Sequence, residues 1–171
     1  MRITNKEFFN VDVLELAKNL LGKILCRKTK YGEILQFRIT ETEAYGGTND
    51  SASHAHRGKT KRNAPMFEHG GTIYVYLCYG IHKILNIASG HAGDPQGVMI
   101  RGINEIYGPG KVTKALEISR DLSGADITTS PELWLENDDF QVNNIKEYKR
   151  IGIGYATQQD QDKLWRFRID Q

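Results

Sequence analysis

The sequence predicts an α+β fold in one domain spanning 1–171. Three observations carry that reading. An apolar stripe at helical spacing lies between Asp12 and Leu21. An alternating segment runs from Leu35 to Tyr45. A β-branched and aromatic run, Thr72 to Cys78, is followed by a returning run from Ile81 to Ala88. At 171 residues the chain is long enough to bury a substantial core.

In chain order, Val13, Leu14, Ala17, Leu20 and Leu21 form the helical stripe. Asp12 with Glu15 resembles a capping box, and Gly22 suits the position just past the helix end. Lys23 to Lys28 reads as a strand, and Tyr31-Gly32-Glu33 as the turn into the next. In that next strand Leu35, Phe37 and Ile39 alternate with Gln36, Arg38 and Thr40. Unbroken alternation puts Glu41, Glu43 and Tyr45 on the same inward face. Inward carboxylates are costly unless paired, hydrated or used. Either the strand leaves the core at Glu41, or its end builds a site.

From 46 to 68 the pattern is lost. Irregular segments of this length are usually functional or disordered, and the histidines, basic residues and Met66-Phe67 argue against disorder. Arg57, Lys59, Lys61 and Arg62 cluster there, a local hint of nucleic acid. The net charge of +2 gives no global one, and residues 121–139 hold six acidic residues and no basic one. Gly70-Gly71 opens a hairpin whose turn is Tyr79-Gly80. A tyrosine is unusual at a turn tip, where small or polar residues prevail. Val98 to Ile103 reads as a short buried strand containing Arg101, which needs an anionic partner; Glu43 is the candidate.

Pro109-Gly110-Lys111 opens a helix ending near Ser119. Ser130-Pro131-Glu132 suits a helix start, while Leu133-Trp134-Leu135 suits a strand equally well. Ile151 to Ile153 and Leu164 to Ile169 read as closing strands. No apolar run is long enough for a membrane span, and the N-terminus lacks the apolar segment of a secretory signal. Cys26 and Cys78 form no C-x-x-C motif and fit reduced residues of a cytoplasmic protein.

Three chemistries compete at this level. Glu41 and Glu43 lie roughly 6 to 7 Å apart by strand rise, within reach of a paired-carboxylate glycosidase. His54-x-His56 with Asp50 could begin a metal site, although no further ligands follow at convincing spacing. A non-catalytic nucleic-acid module would use the basic loop and exposed tyrosines.

A set of motifs adds a family resemblance. Glu41-Thr42-Glu43-Ala44-Tyr45, His54, Arg62-Asn63, Met66-Phe67, Gly71 to Tyr76, Tyr79-Gly80 and Asn86 follow in an order similar to the alkyladenine (3-methyladenine) DNA glycosylases of the mammalian type. Leu21-Gly22-Lys23, Arg101, Gly108 to Lys111, Arg150 to Ile153 and Trp165-Arg166-Phe167 extend it over nearly the whole chain. The resemblance implies a curved, mostly antiparallel sheet or partial barrel with flanking helices and a protruding DNA-inserting hairpin. It implies action without cofactor or metal on double-stranded DNA that contains a damaged purine, and one enzyme acting on one lesion suits a monomer. By resemblance Glu43 activates water with Arg101, and Tyr45, His54, Tyr76 and Asn86 form the base pocket. Tyr79 is then the intercalating wedge. Arg57, Lys59, Lys61, Arg62, Lys83 and Lys111 are the expected phosphate contacts. His82-Lys83-Ile84-Leu85 departs from the more aromatic run expected after the wedge.

Overall fold

The computed structural model describes residues 1–169. Helix α1 (Val13–Leu20) forms where the stripe predicts it, burying Val13, Leu16, Ala17 and Leu20. The Asp12 carboxylate accepts from the Leu14 amide at 2.8 Å, satisfying one of the free N–H groups at the helix start. Gly22 ends the helix at φ 81°, a conformation that costs glycine little. Strands β1 (Ile24–Lys28) and β2 (Ile34–Tyr45) pair as the expected hairpin. Next come β3 (Ile73–Cys78), β4 (His82–Ser89), β5 (Gln96–Ile103) and the short β6 (Ile106–Tyr107). Helix α2 (Pro109–Ala115), β7 (Leu133–Glu136), β8 (Lys146–Tyr148), α3 (Gln158–Asp162) and β9 (Arg166–Arg168) complete the described chain.

The strands form one curled antiparallel sheet in the order β3-β4-β5-β2-β1-β7. β2 is its axis. Residues 34–38 of β2 pair with β1, and residues 39–45 pair with β5. At Glu41 to Glu43 the edge that β1 has left is taken by β9. Helix α1 packs on β2, and α2 packs on β4 and β5. The main core joins Leu16 and Leu20 of α1 to Leu25, Ile39, Ala44, Ile73, Leu85, Ile87, Val98 and Ile100 of the sheet.

Unbroken alternation along β2 is not what the chain does. Ile39 points into the main core, and so do Ala44 and Thr42, whose hydroxyl donates to the Ala17 carbonyl of α1 at 2.9 Å. The core face therefore changes parity between residues 39 and 42. The ladder shows how: Ile39 pairs with Ile103, Glu41 with Gly102, and Thr42 with Ile100. Thr40 is left over on β2 and Arg101 on β5, a bulge on each side of one rung. Glu41 and Glu43 thus turn away from the core. Gly102 accommodates the shift, since a Cβ there would lie 2.8 Å from Cβ of Glu41.

Two further expectations are corrected and one open choice is settled. The helix from Pro109 stops at Ala115 rather than Ser119, and Glu117 takes φ 49° beyond it. Leu133 to Leu135 is strand, because β1 offers it an open edge. Ile151 to Ile153 is not strand; it is a bent loop after β8, and its place against the sheet has another use.

Candidate active site

The bulged end of β2 places Glu43 beneath the floor of a cavity of about 540 Å³. Its side chain is wholly buried. Oε2 accepts from the Tyr45 hydroxyl at 2.9 Å, and Oε1 accepts from the Ile151 amide at 3.0 Å. The Arg101 guanidinium stands 3.3 Å from the same Oε1. Burial pushes the Glu43 carboxyl above its ordinary value of 4.5, while Arg101, the Ile151 amide and the Tyr45 hydroxyl draw it down. Tyr45 is pushed far up by burial and by Glu43, so its hydroxyl stays a donor. Arg101 and Ile151 line the cavity directly above the carboxylate.

The β3–β4 hairpin supplies the aromatic wall. Its register sets Tyr74 opposite Asn86 and Tyr76 opposite Ile84, all turned from the core that takes Ile73, Val75, Leu85 and Ile87. The rings of Tyr74 and Tyr76 lie 5.4 Å apart and tilted by 34°. His54 meets Tyr76 edge-on at 4.4 Å, and its Nδ1 lies 3.3 Å from the Tyr74 hydroxyl. Partial desolvation and then the Arg62 guanidinium hold His54 below its usual pKa, so it is neutral at pH 7. The Asn86 amide donates to the Tyr74 carbonyl at 3.3 Å, which fixes its orientation inside the cavity.

The tip of this hairpin contrasts with its base. Tyr79 has φ 51° and Gly80 φ 68°, positive values at both central residues as type I′ turns require. A tyrosine in that region costs about 1–3 kcal/mol. Its side chain is 91% exposed and that of Ile81 76%, so no packing of the ring repays the strain.

The floor is held from behind by Arg150, which the sequence reading named within a motif but gave no role. Arg150 is buried and donates to both oxygens of Asp50, at 2.6 and 2.9 Å. It also donates to the Ala44 and Asp160 carbonyls, and it lies 5.0 Å from the rings of both Tyr45 and Trp165. One side chain therefore ties β2, the 46–68 segment and α3 together. It also fixes the start of the loop whose Ile151 amide holds Glu43.

The expected residues divide as follows. Glu43, Arg101, Tyr45, His54, Tyr76 and Asn86 converge, with Tyr79 at the cavity rim. Arg62 belongs to the cavity wall: it donates to the Leu77 carbonyl at 2.9 Å and lies 5.4 Å from the Tyr76 ring. Arg57, Lys59, Lys61, Lys83 and Lys111 are exposed, with Lys59 3.8 Å from Glu68. Tyr74 and Tyr155 line the cavity and were missed. Alternation of Tyr74 with Tyr76 was the available signal for the first; Tyr155, in an irregular loop, carried none.

The rival chemistries lose their residues. Glu41 is buried against Arg166 at 2.8 Å and does not line the cavity, so the two carboxylates do not flank a cleft. Asp50 is committed to Arg150, and His56 contacts the Thr48 carbonyl at 2.8 Å, away from His54. Among the described residues no group of three histidine, cysteine or acidic side chains could hold a metal ion. No described helix is long and apolar enough to cross a membrane.

Comparison with known proteins shows the family of the chain. Residues 7–171 match the family model of methylpurine-DNA glycosylase. A protein of Borreliella burgdorferi, provisionally named a 3-methyladenine DNA glycosylase, is 42% identical over 180 residues, covering 96% of this chain and 95% of the relative. Relatives carrying the same provisional name in Methanocella arvoryzae and Clostridium tetani are 39% and 38% identical. They cover 98% and 99% of this chain, and 92% and 96% of their own lengths. With cavity, hairpin and carboxylate in place, and matches over nearly its whole length, the chain belongs to the methylpurine-DNA glycosylase family.

Proposed function

We propose that this single-domain chain acts as a monomer on duplex DNA, turns a damaged purine out of the helix into the tyrosine-lined cavity, and hydrolyses its N-glycosidic bond with water activated by Glu43. One observation carries the reading: a wholly buried carboxylate, held by Tyr45, Ile151 and Arg101, lies under an aromatic cavity whose rim bears an exposed tyrosine. A base within the stack is out of reach of any carboxylate. Extrusion costs a few kcal/mol, and an inserted side chain offsets part of it by filling the gap. Tyr79 is presented for that insertion.

The cavity suits an electron-poor alkylated purine. Tyrosine faces attract cationic rings, and neutral His54 adds no opposing charge. Asn86, fixed by the Tyr74 carbonyl, crowds the place of a guanine 2-amino group and so disfavours the commonest undamaged competitor. In the chemical step water oxygen bonds to C1′. The C1′–N bond breaks with its electron pair leaving on the purine, and one water proton passes to Glu43. The carboxylate faces the positive charge that develops on the sugar. The cavity lining contains no lysine, in keeping with hydrolysis without a Schiff base.

The exposed cations of the 46–68 segment, with Lys83 and Lys111, suit phosphate contacts, so DNA binding weakens as salt rises. The finer placement with the mammalian alkyladenine type rests on the same motifs, and a cytoplasmic location with access to DNA rests on two cysteines outside any disulfide framework. The test is single-turnover base release from a duplex carrying one 3-methyladenine or one hypoxanthine. Wild type releases the base. Binding of the lesion duplex without any release would overturn the reading in favour of a non-catalytic module.

A further inference from the structure

We propose that Glu41 is a positioning residue: by holding part of Arg101, it keeps that guanidinium from neutralising Glu43 and so preserves Glu43 as a base. The inference rests on the reading of Glu43 as the water-activating group.

The distances set the argument. Nε of Arg101 is 3.6 Å from Oε1 of Glu41, and its Nη1 is 3.3 Å from Oε1 of Glu43. Neither is a close ion pair. The Arg150–Asp50 pair in the same protein closes to 2.6 Å. Arg101 is suspended between two carboxylates, a position created by its place as the unpaired residue of the β5 bulge. Glu41 in turn is anchored by Arg166 of β9 at 2.8 Å. Two half-buried arginines and two buried carboxylates alternate in a row: Arg166, Glu41, Arg101, Glu43. The row is neutral as a whole, and each pairing weakens the next.

The other groups facing Glu43 are fixed by different partners. Tyr45 of β2 donates to it, the Ile151 amide donates to it, and Arg150 is taken by Asp50. Tyr76 of β3 is a neutral phenol, pushed up by its burial. The share of Arg101 that Glu43 receives is therefore the adjustable quantity, and Glu41 and Arg166 adjust it. A base fully paired with arginine is a weak one, while a base with too little positive charge nearby stays protonated at working pH.

The row predicts opposite effects from two variants. Glu41→Gln removes a negative charge and releases Arg101 to Glu43, lowering the midpoint of the acidic limb of base release by about one pH unit. Arg166→Met removes a positive charge and lets Glu41 draw Arg101 away, raising that midpoint by a similar amount. The substrate is a duplex carrying 3-methyladenine, whose leaving group is already cationic. A second readout needs no activity: titration of the Glu43 carboxyl by carbon NMR in glutamate-labelled protein, assigned by difference from Glu43→Gln. Thermal melts show that each variant is folded. Opposite displacements in either readout support the inference. Unmoved midpoints, or displacements of the same sign, overturn it and leave Glu41 a structural residue. Near wild-type release by Glu43→Gln would instead overturn the reading beneath it.

Discussion

The floor and the tip of the hairpin are opposite ways to prepare a site. At the floor Glu43 is wholly buried, with the Tyr45 hydroxyl, the Ile151 amide and the Arg101 guanidinium already beside it. At the tip Tyr79 is almost fully exposed in a backbone conformation that disfavours it. Burial at the floor makes chemistry and stability depend on the same residues. Exposure at the tip separates them, because the folded protein gains nothing from the ring. On the proposed function, the difference tells when each side chain meets its partner: the floor before DNA arrives, the tip only afterwards.

The sharpest challenge to that contrast is Glu43→Gln. Single-turnover release should fall at least about a hundred-fold, while lesion-duplex affinity stays near wild type. Retained release would end the assignment. Next comes the support behind the floor. Asp50→Ala strands Arg150 as a buried charge and should cost about 3–5 kcal/mol, read by denaturant unfolding. A loss below about 1 kcal/mol would mean that the pair does not hold the floor.

The tip should answer with opposite signs. Tyr79→Asn removes the wedge but places a residue tolerant of positive φ. Release should drop about ten-fold or more. Unfolding stability should rise by about 1 kcal/mol. A loss of both would show that Tyr79 packs in solution, contrary to its exposure. Selectivity gives a smaller effect: Asn86→Ser should raise release of undamaged guanine relative to damaged purine by about ten-fold, measured on a plain duplex.

The smallest effect is a slope. Folding raises the proton affinity of Glu43, so its contribution favours the folded state below the ordinary value of 4.5 and is lost as pH rises through the raised folded value. Glu43→Gln has no proton to lose. The stability of the variant relative to wild type should therefore climb across that window and level off above it, in melts taken at successive pH values. A flat difference would mean that Glu43 titrates alike in folded and unfolded chains.

Much of this was legible in the residues. The α1 stripe with Asp12, the two hairpins, and Glu43 with Arg101 all follow from local spacing and simple electrostatics. What escaped was non-local. A bulge depends on how two strands pair, so Thr40 and Arg101 look like ordinary strand residues in the chain. Ile151 to Ile153 reads as strand because apolar residues alternate there, yet they serve to close a cavity. Arg150 is unremarkable until Asp50, Ala44 and Asp160, from three distant segments, meet it. Thr157 and Asp160 did offer a start signal for α3: the Thr157 hydroxyl accepts from the Asp160 amide.

The paired bulges turn the active strand into a counting device. One extra residue on β2 reverses which side chains face the cavity, and one extra on β5 restores the register beyond it. Were Thr40 instead a paired member of an unbroken strand, the two carboxylates would turn towards α1 and Thr42 and Ala44 would face the cavity. Deleting Arg101 alone would break the matching on the other strand. Removing both Thr40 and Arg101 would give an even ladder with the carboxylates still facing the cavity, but without the arginine beside them. Length here is as much a part of the active site as any side chain: the extra residue on β2 lets the carboxylates leave the core face, and the extra residue on β5 is the arginine they share.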